Sequence, residues 1–251
     1  MRKIANLLQQ FASTGQKGVA WLIDPDKNQD FSALDGISSE DLDLILVGGS
    51  RVDRIDFEHC IQQVKLRSRE IPVCIFPSSP SHVSALADGI LFLSLISGDN
   101  PDFLITYQRQ AASKIQQTNL EVLPTGYILV NSGELLSVHR ESKTLPILNS
   151  EVKSVVETAL AGKYLGMDFI YLDAGSGANF PVDLEVIRTV KETVQLPLLV
   201  GGGLKDSHSV RSTLEAGADL VVLGNSIEND PGFLAEVLHF KTILNLSLNV
   251  N

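Results

Sequence analysis

The chain has 251 residues, with 30 acidic and 20 basic side chains and a formal net charge of -10. Apolar residues make up 44% and charged residues 20%, too apolar for a disordered chain and enough for a core without disulfide or metal staples. The acidic balance leaves no basic stripe to neutralise phosphates, which argues against a nucleic-acid binder, and no run approaches the roughly 20 apolar residues that span a bilayer. Cys60 and Cys74 form neither a disulfide framework nor a metal-ligand cluster, so a single domain over residues 1–251 in a reducing, cytoplasmic compartment is expected.

The first segment, MRKIANLLQQF, lacks a long apolar stretch and a small-residue cleavage site, and reads as an amphipathic helix rather than a signal peptide. Short apolar runs follow at GVAWLID (18–24), LDLILVGG (42–49), IPVCIFP (71–77) and DGILFLSLI (88–96). Asn100-Pro101 then supplies a helix cap followed by proline in the first turn, and Leu104, Tyr107, Ala111 and Ile115 share one face. The next run is VLPTGYILVN (122–131), followed by the longest irregular connection, 132–149, a candidate lid. Val152, Val155, Val156, Ala159 and Leu160 form a helical stripe before MDFIYLDAG (167–175); Leu184, Ile187, Val190 and Val194 form another before LPLLVGG (196–202). Val210 and Leu214 mark a short helix before ADLVVLGN (218–225), and Asp230-Pro231 opens a last one carrying Leu234, Val237 and Leu238.

Near-continuous apolar runs suit strands covered on both faces, and eight of them alternating with helices predict an α/β fold, a (β/α)8 TIM barrel built from right-handed crossovers. Between Pro77 and Asp88 only SSPSHVSALA is available, too short for a barrel helix. The third helix is therefore expected to be missing or replaced by a loop. That leaves apolar wall uncovered beside strands three and four, for an apolar ligand or for a partner copy in a homo-oligomer.

In such a barrel the chemistry sits at the C-terminal strand ends. The glycines after strands seven and eight, Gly201-Gly202-Gly203 and Gly224-Asn225, let backbone N–H groups approach a phosphate closely, although tight turns alone could also require them. Asp24 and Ser50 end neighbouring strands and form a sparse oxygen-only pair suited to Mg²⁺; an Asp26–Lys27 loop ion pair is the alternative use of this segment. Tyr171 and Asp173 lie two apart on one strand and share a face, which makes Asp173 a candidate general base and Tyr171 a hydrogen-bond partner for substrate; a buried, internally satisfied Asp is the other reading. His59, His82, His139, His208 and His239 show no metal spacing and no triad, and are expected on the surface or in loops.

Taken in order, Asp24-Pro25-Asp26-Lys27, Gly48-Gly49-Ser50, Gly126-Tyr127-Ile128, Tyr171 through Ala178, Gly201-Gly202-Gly203-Leu204 and Gly224-Asn225 resemble the geranylgeranylglyceryl phosphate synthases over nearly the whole chain. The YLDAGSGA form is similar to the larger subgroup with archaeal and some bacterial members. The resemblance implies a modified barrel and a prenyltransferase that joins the 3-hydroxyl of sn-glycerol 1-phosphate to a polyprenyl diphosphate, geranylgeranyl above all, releasing pyrophosphate. It implies Mg²⁺ on Asp24 and Ser50, and the glycerol part held by Tyr171, Leu172, Asp173, Ala174, Gly175, Ser176 and Gly177. The phosphate would fall to Gly202, Gly203, Gly224 and Asn225, and the prenyl tail to the open wall; apart from the resemblance, the uncovered apolar barrel surface predicts a dimer or hexamer. The family commonly carries Glu where this chain has Asp173, one methylene shorter. Another phosphate-binding barrel enzyme, a sugar-phosphate isomerase or lyase or a flavin-phosphate oxidoreductase, is the competing class. An isomerase would want a second acid or base opposite Asp24, yet strand five ends in Asn131. A non-catalytic phosphate-binding barrel is the third reading.

Overall fold

The computed structural model describes residues 3–27, 31–39, 41–49 and 54–248. Helix α1 (Lys3–Thr14) leads into β1 (Gly18–Ile23), β2 (Leu44–Val47), α2 (Arg54–Ser68), β3 (Val73–Ile75) and β4 (Gly89–Leu95). A π-helical turn (Asp102–Thr106) and α3 (Tyr107–Gln116) precede β5 (Glu121–Asn131), α4 (Ser137–Ser142), a two-residue β6 (Ile147–Leu148) and α5 (Val152–Tyr164). Then come β7 (Phe169–Asp173), α6 (Leu184–Val194), β8 (Leu198–Gly201), α7 (Ser207–Ala216), β9 (Leu220–Leu223), α8 (Asn225–Asn229) and α9 (Pro231–Leu248). All pairings are parallel; β4-β3-β2-β1-β9-β8-β7-β5 close into an eight-stranded barrel through β4–β5, and β6 extends only the end of β5.

Strand alternation divides the core in two. Inward residues such as Leu44, Leu46, Leu123, Phe169, Leu199 and Leu220 fill the barrel, and outward residues such as Ile45, Val47, Ile170 and Val221 pack under the helices. Helix α1 plugs the bottom: Ile4, Ala5, Leu8 and Phe11 belong to the inner cluster, and the Glu121 carboxylate caps the helix by accepting from the N–H groups of Ile4 at 2.8 Å and Ala5 at 2.7 Å.

No helix separates β3 from β4, as the short 78–87 segment requires. Strand β3 meets β4 only at Cys74–Gly89 and Ile75–Ile90, whereas β4 pairs with β5 over seven positions. The upper β3–β4 seam is open, and α3 with the turn before it is tied to β4: Gln108 Nε2 donates to Leu93 O at 2.5 Å and to Phe103 O at 3.0 Å, and Ser94 Oγ donates to Leu104 O at 2.7 Å.

Other details depart from the expectations. Helix α2 was not among the expected helices, though Phe57, Cys60, Ile61 and Val64 bury one face of it. The 132–149 connection is not wholly irregular, since it contains α4 and β6. His82 and His139 are buried, not surface groups: His82 stacks on Phe57 at 4.8 Å between ring centroids, and His139 Nδ1 accepts from Leu136 N–H at 3.0 Å. Among the described residues no helix is long and apolar enough to cross a membrane.

Candidate active site

A continuous cavity of about 620 Å³ opens at the C-terminal strand ends and continues into the open seam. One end is lined by Ser176, Gly202, Gly203, Gly224 and Asn225, the middle by Asp24, Tyr127, Tyr171 and Asp173. The far end is apolar, between Pro80, Val83, Ile90 and Phe92 on the barrel side and Tyr107, Ala111 and Ile115 on α3. Four-residue steps along α3 place the last three side chains in one row about 12 Å long.

At the centre Asp173 is 8% exposed. Its Oδ2 accepts from the Tyr127 hydroxyl at 2.5 Å and its Oδ1 from Gly175 N–H at 2.7 Å. Register explains the first contact, since Tyr127 and Tyr171 are partners on β5 and β7 and Asp173 lies one inward step further. Burial pushes the Asp173 carboxyl above its ordinary range, opposed by the Tyr127 hydroxyl and the Gly175 N–H. Burial, followed by the Asp173 charge, likewise raises both tyrosines. The Tyr127 and Tyr171 rings meet edge to face at 5.3 Å, with Phe76 packed on both at 5.8 Å. Tyr127 is committed to Asp173, while the Tyr171 hydroxyl makes no hydrogen bond to the described residues and lines the cavity. Asp173 is thus buried, internally held and open to the cavity at once.

The strand-end glycines make room for these groups as well as for a ligand. A Cβ on Gly201 would stand 2.5 Å from the Tyr171 hydroxyl, and one on Gly202 would stand 2.6 Å from Asp173 Oδ1. Gly202 and Gly203 also have φ of +79° and +70°, which favour glycine. Ser226 Oγ donates to Leu204 O at 2.8 Å and ties the β8 and β9 loops together, so both face one small volume.

At the end of β1, Asp24 Oδ1 accepts from Asp26 N–H at 3.1 Å, and Gly49 lies so close to the carboxylate that any side chain there would collide with it. Ser50 falls outside the described residues. Among the described residues no group of three or more His, Cys, Asp or Glu side chains could hold a metal. One carboxylate facing a cavity still fits an oxygen-seeking ion that keeps its waters and takes its other ligands from substrate. Lys27 pairs not with Asp26, as the alternative expected, but with the segment after the neighbouring strand β9, donating to Glu228 Oε2 at 2.8 Å and to Asn225 Oδ1.

The Tyr171–Gly177 segment divides by side. The side chains of Leu172 and Ala174 face the layer under the helices, so only their backbone is near the site, and Gly175 N–H is spent on Asp173. Ser176 and Gly177 line the cavity. Tyr127 and Lys27 are two polar cavity residues that were not among the expected site residues; a tyrosine on β5 in register with Tyr171 was the available sign for the first.

The PcrB family model matches residues 15–243. The geranylgeranylglyceryl phosphate synthase of Flavobacterium johnsoniae is 49% identical over 87% of this chain and 91% of its own length. That of Spirosoma linguale is 42% identical over 92% and 94%. The crystal structure of (S)-3-O-geranylgeranylglyceryl phosphate synthase from Thermoplasma acidophilum, in complex with sn-glycerol-1-phosphate, superposes with a TM-score of 0.85 at 29% identity, covering 95% of this chain and 98% of that one.

Proposed function

We infer the reaction from the premise that this chain belongs to the PcrB family: it transfers a polyprenyl group, geranylgeranyl above all, from its diphosphate to the 3-hydroxyl of sn-glycerol 1-phosphate. The observation that carries the reading is the continuity of one cavity from a glycine-lined, polar end to an apolar row beside α3. A sugar-phosphate isomerase has no use for the apolar half.

The glycerol phosphate would sit with its phosphate against Gly202, Gly203, Gly224 and Asn225, and its carbon chain toward Ser176, Gly177 and Tyr171. Its 3-hydroxyl then meets the centre of the cavity. The prenyl chain lies between β4 and α3, which directs its first carbon at the same point. A bond forms between the hydroxyl oxygen and that carbon as the carbon–oxygen bond to diphosphate breaks, and the hydroxyl proton passes to Asp173. Tyr127 and Gly175 N–H hold two carboxylate lone pairs and leave others for that proton. Asp24, with Ser50 that follows Gly49 in the sequence, would hold Mg²⁺, which would supply charge neutralisation for the leaving diphosphate. Adjacent exposed residues Tyr164 and Leu165 at the end of α5, 80% and 73% accessible, support a homo-oligomer.

Incubation with sn-glycerol 1-phosphate, Mg²⁺ and a ladder of prenyl diphosphates, followed by mass analysis, tests the reaction. An ether product is expected with at least one chain length; none with any of them refutes the proposal.

A further inference from the structure

Two substrates bring three phosphoryl groups into the cavity of an acidic chain, and Glu228 and Asp230 line the same rim as the glycine loops. The charge that offsets Glu228 comes from far away in sequence. Lys27, at the end of the β1 segment, donates to Glu228 Oε2 at 2.8 Å, and its ammonium also reaches Asn225 Oδ1. Asn225 Oδ1 receives a second donor, Ser176 Oγ at 3.3 Å, from the loop after β7. The Asn225 carboxamide is thereby oriented with Nδ2 turned away from both donors, available to an acceptor. Lys27 therefore stands at the polar end of the cavity, on the residue expected to meet the phosphate, and not at the Asp24 carboxylate of its own loop.

The pair is 37% and 27% exposed, so the attraction that holds it is weak and screened. A phosphate dianion arriving beside Asn225 offers the ammonium a stronger, shorter charge-assisted contact. We propose that Lys27 is the side-chain cation that recognises the phosphate of sn-glycerol 1-phosphate, and that Glu228 is its resting partner, exchanged for the phosphate on binding. The inference rests on the function proposed above. It makes Glu228 a competitor whose effect works through Lys27.

Calorimetric titration of sn-glycerol 1-phosphate into the full chain and three variants tests the exchange. Lys27→Met should weaken binding about tenfold or more, as loss of a hydrogen bond to a charged group does. Glu228→Gln should tighten it about two- to fivefold, the worth of an exposed pair. In the Lys27→Met background Glu228→Gln should have no effect. Equal tightening with and without Lys27 would show plain repulsion by Glu228 and overturn the exchange. So would unchanged binding in Lys27→Met, or a loss confined to the prenyl diphosphate. A wild-type chain that takes up no glycerol phosphate overturns the proposed function and this inference with it; a wild type that binds beside variants that fail the pattern overturns this inference alone.

Discussion

Replacing Asp173 by Asn separates proton acceptance from every other task of that residue. The two side chains have the same shape, and the carboxamide can keep both contacts: Oδ1 accepts from Gly175 N–H, and Nδ2 donates to a Tyr127 hydroxyl that turns its own proton elsewhere. No cavity results, and the Tyr127 hydroxyl proton can turn toward the cavity that this residue lines, so the site should survive. What disappears is the acceptor for the substrate proton, an effect of about 10²–10⁴-fold in turnover. The KM for glycerol phosphate should move by no more than about threefold, since the phosphate contacts lie elsewhere. The pH behaviour follows from burial, which raises this carboxyl above its ordinary 3.8. The folded wild type binds that proton more tightly than the unfolded chain does, so the stability of the protonated form is present below 3.8 and is lost as pH rises through the raised value. Denaturant midpoints of wild type and Asp173→Asn should therefore converge at the acid end, with the variant the more stable near neutrality, where only the wild type buries a charge. Turnover of the wild type should fall on the acid side as Asp173 protonates. Single-turnover kinetics and paired denaturation curves read all of this. Turnover within about threefold of wild type would refute the base assignment, and an equal loss in KM would make Asp173 a binding group instead.

Gly202→Ala should strain a backbone at φ +79° and push a methyl to 2.6 Å from Asp173 Oδ1. A cost of about 1–2 kcal/mol for a left-handed alanine predicts a melting temperature lower by about 2–8 °C, read by calorimetry, together with a higher KM for glycerol phosphate. Ala111→Phe places a ring midway along the α3 row of the cavity. It should shift product mass spectra toward shorter prenyl chains and leave the KM for glycerol phosphate within about twofold, because that substrate never enters the groove. Asp24→Asn should raise the Mg²⁺ concentration for half-maximal turnover about tenfold or more, and chelation should stop turnover while calorimetric binding of glycerol phosphate persists.

The barrel was legible because each strand is apolar on both faces: GVAWLI and LLVG fill the interior with alternate residues and pack under helices with the others, so they read as unbroken runs. The missing helix was legible from length alone. Helix α2 carries Phe57, Cys60, Ile61 and Val64 among many polar residues, so its apolar stripe leaves only a weak pattern in the sequence. Asp24, Asp173 and the glycines were found by their place at strand ends, since topology fixes which end carries chemistry. Their mutual use was not legible. Gly201 and Gly202 stand against Tyr171 and Asp173, and Gly49 against Asp24, contacts that depend on how neighbouring strands converge. Tyr127 meets Asp173 across 46 residues and Lys27 meets Glu228 across 201, so neither pairing leaves a local pattern. His82 and His139 are hidden for the same reason, buried by segments remote from them in the chain.

The most direct measurement is a crystal structure with sn-glycerol 1-phosphate and a non-reactive thio-analogue of geranylgeranyl diphosphate bound together. The phosphate should lie on Gly202, Gly203, Gly224 and Asn225, with the isoprenoid threaded between β4 and α3 past Ala111. A chain lying outside that seam, or a phosphate held away from the two glycine loops, would contradict the account.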